Sequence, residues 1–112
     1  MSSSTRLTQP IVTAAKRARD FLVHTLKDVR GEDAMRLKRA VNKAFNMIEG
    51  FASGDLTVRR EMPHGVQRNP TTIIEKKVMA FWKATDLLQD RIFETRSGIS
   101  EVTVIAAFDA IT

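Results

Sequence analysis

Two histidines and a surplus of lysine and arginine are the side chains here with the most chemistry to offer. His24 stands four residues after Asp20 and four before Asp28. Residues four apart share a helix face, so Asp20, His24 and Asp28 would form a row able to hold a divalent cation weakly. Solvated polar stripes show the same spacing, and that plainer reading is preferred. No metal site and no cofactor is expected. His64 lies in the turn Pro63-His64-Gly65, which displays its ring but brings no recognisable acid–base partner.

The chain has no cysteine and no tyrosine, so thiol nucleophiles, thiolate ligands, disulfides and a phenolic acid are ruled out. The phosphate-cradling glycine loop, the dinucleotide fingerprint, the serine elbow and the paired-histidine zinc motif do not occur in it. The expectation is a protein that is not an enzyme.

The basic residues carry more information. Lysine and arginine number 18 against 13 acids, a formal net charge of +5. The excess is one-sided: residues 1–50 hold ten basic groups and five acidic, residues 71–112 five and six. Such asymmetry suits an acidic partner, which could be nucleic acid or an acidic protein surface. From Met35 to Asn46 there is no Asp or Glu, so Arg36, Lys38, Arg39 and Lys43 are locally unopposed.

Arg36, Arg39 and Lys43 fall on one face of a helix, with Lys16, Arg19 and Lys27 on the helix before it. Arg59, Arg60 and Arg68 follow in a loop. Cations on rigid helices with further arginines on an arm suit a phosphate backbone, through charge and counterion release. Arg36, Arg39, Lys43, Arg59, Arg60 and Arg68 are therefore the candidate contacts to DNA or RNA. Against this, helices need polar backs in any case, and no zinc-finger, RRM, KH or basic-zipper signature accompanies the charge. The alternative is a protein-interaction module, an adaptor or inhibitor docking on a larger partner.

The elements that position these groups follow from apolar spacing. Ile11, Ala15, Ala18, Leu22, Leu26 and Val29 recur at helical steps behind Pro10, which suits a first turn, and Gly31 is expected to cap that helix. Ala34, Leu37, Val41, Ala44, Ile48 and Phe51 form the most regular seam. A break as short as Gly31 implies an antiparallel helix pair. A helix-turn-helix would also fit the turn Val29–Glu32, but the long seam favours a bundle.

Residues 52–70 read as a basic excursion of turn chemistry, either an irregular loop or a small β-hairpin around Pro63–Gly65. A third helix starts at Thr72, whose partner Glu75 completes a capping box, or one turn earlier at Asn69-Pro70. Its seam is Ile74, Val78, Phe81, Thr85, Leu88 and Ile92, with Trp82 beside it. Val23, Met35, Phe45 and Met79 fall outside the main stripes.

The tail from Ser100 is apolar on nearly every side. Its alanines favour helix over strand, and it must be buried, either in the three-helix core or against a second copy. The fold expected is all-α: an antiparallel bundle of three long helices plus a short C-terminal one. It is a single domain over 1–112 with a flexible 1–8 and a basic loop or hairpin between helices two and three. A homodimer closed by the tail is expected. No apolar run reaches the ~18 residues of a membrane span, and the polar N-terminus leads into no signal-peptide core, so a cytoplasmic protein is expected.

Overall fold

A computed structural model of the chain describes residues 7–53, 72–93 and 98–112. These form four helices and no strand: α1 Gln9–Leu26, α2 Glu32–Ser53, α3 Ile73–Phe93 and α4 Glu101–Asp109. The all-helical class is as expected. The expected loop or hairpin within 52–70 lies, from residue 54 on, outside the described residues. No helix among them is long and apolar enough to cross a membrane.

α1 carries Pro10 in its first turn and buries Ile11, Ala14, Ala15, Ala18, Leu22 and Leu26. It ends earlier than Gly31. The N–H groups of Lys27, Asp28 and Val29 donate to carbonyls three residues back, on His24, Thr25 and Leu26, which tightens the chain out of the α-helix. Gly31 has φ +99 and turns the chain into α2 instead of capping α1. Chain packing starts ahead of α1: Leu7 is buried, and the Thr8 hydroxyl donates to the Glu101 carboxylate.

All six seam residues of α2 are buried, and so are Ala40, Phe45 and Met47. The buried face is wider than the seam because α2 packs on α1 along one side and on α3 along the other. Phe45 thus belongs to the core. Among the other residues outside the stripes, Val23 and Met79 are half-buried and Met35 is 57% exposed.

Two contacts settle the direction of α3. The Trp82 indole Nε1–H donates to the Ala40 carbonyl at 2.9 Å, and the rings of Phe51 and Phe93 meet edge-on at 5.8 Å. Moving from the first contact to the second advances eleven residues along each helix, so α3 runs parallel to α2. The expected alternation of three antiparallel helices is corrected here. The α1–α2 pair is antiparallel as expected: Arg19, midway along α1, sits over Phe45, in the second half of α2, and the short turn reverses the chain. A parallel α2–α3 pair places the end of α2 and the start of α3 roughly 30 Å apart, at 1.5 Å of rise per residue.

α3 starts as the capping residue predicts. The Thr72 hydroxyl accepts from the Glu75 N–H at 3.2 Å and donates to the Glu75 carboxylate at 2.9 Å. Val78, Phe81, Trp82, Ala84, Thr85, Leu88 and Ile92 are buried. α4 is a helix whose start is capped by Ser100, its Oγ accepting the Thr103 N–H at 3.1 Å.

Val104, Phe108 and Ile111 enter the chain's own core, with Phe108 edge-on to Phe81 at 5.6 Å. α4 packs on α1 and α3. Lys77 Nζ donates to the Ile111 carbonyl at 3.0 Å, and Arg91 Nη1 to that of Ile99 at 2.6 Å. These bonds tie the tail and the approach to α4 against α3, running opposite to it. Of the two burial routes open to the tail, the structure uses the intramolecular one for these three residues. Val102 is left 74% exposed.

Candidate nucleic-acid interface

The face of α2 opposite the seam carries the candidate residues. Arg36, Arg39 and Lys43 are all exposed. At 100° per residue they fall within about 60° of one another around the helix, and they span roughly 10 Å along it. α2 can hold them rigidly because its other side is fixed in the core by Leu37, Val41, Ala44 and Ile48. Arg36 is partly compensated by Glu32, 3.9 Å away and one turn earlier. Arg39 and Lys43 make no ion pair among the described residues.

The third unopposed cation, Lys38, does not join this stripe. It lies about 100° round from Arg39 on the α1 flank of α2, level with the C-terminal end of α1, where Lys27 stands. Arg59, Arg60 and Arg68 fall outside the described residues.

The cations of α1 are divided as well. Lys16 and Lys27 are exposed. Arg19 is half-buried: its Nε donates to Asp20 Oδ1 at 2.8 Å, and its guanidinium lies 4.1 Å from the centre of the Phe45 ring. Arg17 pairs with Asp109 of α4 at 3.7 Å. The two helices therefore do not present one continuous basic face. Arg36 and Lys43 border α3, whereas Lys16 and Arg19 of α1 lie on the other flank of α2 and Arg17 turns to α4. Wheel geometry for α2 alone would have separated Lys38 from the stripe, but the side on which α1 packs needed the fold.

The structure takes the Asp20-His24-Asp28 row apart. α1 ends at Leu26, so Asp28 is off the helix and the spacing by fours loses its meaning. Among the described residues no three His, Cys, Asp or Glu side chains gather where they could hold a metal ion. His64 is outside the described residues. A shallow depression of about 270 Å³ lies beside the basic stripe, lined by Glu32, Met35, Arg36 and Arg39. Sequence reasoning sets Met35 outside the main stripes without grouping it with the arginines.

Comparisons of the chain with protein-family models, with curated proteins and with solved structures return no match.

Proposed function

We propose that this is a non-enzymatic, nucleic-acid-associated or regulatory protein that binds a phosphate backbone through α2, with Arg59, Arg60 and Arg68 adding contacts from the following segment. The observation that carries the reading is the pair Arg39 and Lys43, exposed and without acidic partners among the described residues, on a helix locked into the core with Arg36 beside them. The placement of the aromatic residues supports recognition of the backbone in preference to base stacking. Five of the seven are buried, Phe21 lies under Lys77, and Phe93, although 40% exposed, has one side packed edge-on to Phe51. The reading needs no second copy of the chain, and a copy packed on the tail would meet chiefly Val102 and half-buried Ile105. A cytoplasmic setting suits a chain without cysteine.

The test is fluorescence anisotropy with mixed-sequence DNA and RNA at low and physiological salt. Each phosphate neutralised on duplex DNA contributes about −0.9 to the slope of log affinity on log salt, so the three α2 cations account for roughly −2.7. Arg36→Glu combined with Arg39→Glu should abolish binding. Binding that survives both reversals, or no binding at low salt, overturns the proposal.

The exposed Met35 favours a second reading, docking on an acidic protein surface. An apolar anchor flanked by two arginines suits a partner pocket rimmed with carboxylates. That reading predicts a saturable one-to-one protein complex, weakened by Met35→Ser, and no retention on nucleic acid.

A further inference from the structure

A separate groove of about 500 Å³ runs between α1 and α2, away from the basic stripe. Val12, Lys16 and Arg19 form one wall; Phe45, Ile48, Glu49, Ala52 and Ser53 form the other. Its size falls within the range of small-molecule sites.

Arg19 is held in a way that suits anion capture. Its ring contact with Phe45 and the ion pair of Nε with Asp20 at 2.8 Å, which offsets part of its charge, fix the guanidinium plane. The two terminal nitrogens keep their end-on edge, the geometry that accepts a carboxylate with two parallel hydrogen bonds. Lys16, one turn earlier on the same face of α1, is exposed and adds a second positive charge with no ion pair among the described residues.

Away from Arg19 the apolar lining is half-buried Val12 and exposed Ala52 over a floor of buried Ile48, with Lys16, Glu49 and Ser53 as the polar edge. Because α1 and α2 are antiparallel, the Arg19–Phe45 end and the Val12–Ala52 end lie roughly 10 Å apart, seven residues at 1.5 Å each. Glu49 lies between these ends and disfavours a second negative group along the way. A cationic head site, an apolar track and a carboxylate against further anions together select a single-headed amphiphile.

We propose that this groove binds a medium-chain alkyl carboxylate, its head paired end-on with Arg19 and its tail laid along Val12 and Ala52. The probe is decanoate, titrated calorimetrically into the intact chain, with decanol as the uncharged tail and acetate as the bare head. Decanoate should bind saturably at one site, and decanol and acetate at least tenfold more weakly. Octanoate should bind roughly 4- to 16-fold more weakly than decanoate, since a half- to fully buried methylene is a factor of about two to four.

Arg19→Gln should weaken decanoate at least tenfold, and Arg19→Lys, which keeps charge but loses the fork, by less. Ala52→Asp, at an exposed position, should block the tail. Lys27→Gln, outside the groove, should leave binding as it is. Circular dichroism establishes that each variant is folded. No saturable decanoate binding, decanol binding as tightly as decanoate, or a folded Arg19→Gln with unchanged affinity would each overturn the proposal.

Discussion

Trp82→Phe probes the contact that aligns α3 with α2. The indole is 1% exposed and its Nε1–H donates to the Ala40 carbonyl at 2.9 Å. Phenylalanine keeps most of the ring and removes that donor. The Ala40 carbonyl lies inside α2, where it can still accept its helical bond, so no buried acceptor is orphaned. The lost hydrogen bond then costs about 1 kcal/mol.

The smaller ring also leaves a void. At ~24 cal/mol per Å³, a void of roughly 40 Å³ adds about 1 kcal/mol. A total of about 2 kcal/mol in a domain of this size lowers Tm by roughly 8 °C. Thermal unfolding followed by far-ultraviolet circular dichroism reads this directly, since the variant lacks the chain's single tryptophan and fluorescence cannot be compared. A fall of less than about 2 °C would refute the reasoning. It would mean that the indole does not reach Ala40, and the parallel alignment of α3 with α2 would lose one of its two supports.

Three other substitutions test the remaining joints. Ser100→Ala removes the side chain that accepts the Thr103 N–H and should cost about 1 kcal/mol, with hydrogen exchange rising first in α4. Gly31→Ala places a Cβ at φ +99 where nothing lies within 4 Å. Its cost of about 1 kcal/mol is therefore purely backbone strain, and an unchanged melting temperature would show that the turn relaxes. Phe108→Ala empties the site against Phe81 and should cost about 3–5 kcal/mol, whereas Val102→Ser at a 74% exposed position should stay within about 0.5 kcal/mol. Equal effects from these two in chemical denaturation would place the tail's apolar face elsewhere than in the intramolecular core.

Much of the local structure was legible in the residues. The spacing of Leu37, Val41, Ala44, Ile48 and Phe51 marks one buried face of α2, and all are buried, because a 3.6-residue period leaves a helix few ways to hide such a row. Thr72 and Ser100 mark helix starts for an equally local reason: the free N–H groups of a first turn need a nearby oxygen. The exposed stripe of Arg36, Arg39 and Lys43 follows from the same period, being what remains on the other side.

Only the tertiary structure decided how these elements are combined. The direction of α3 depends on the indole of Trp82 reaching Ala40, a contact across 42 positions of sequence that no local period encodes. Phe45 looked stray because a single seam counts one partner helix, while α2 has two. Its burial under Arg19 also takes that arginine out of the basic face and turns it towards the groove. The early end of α1 removed Asp28 from the row with His24. Helix identity comes from short-range spacing and capping, whereas direction, flank and shared side chains come from packing between residues far apart in the chain.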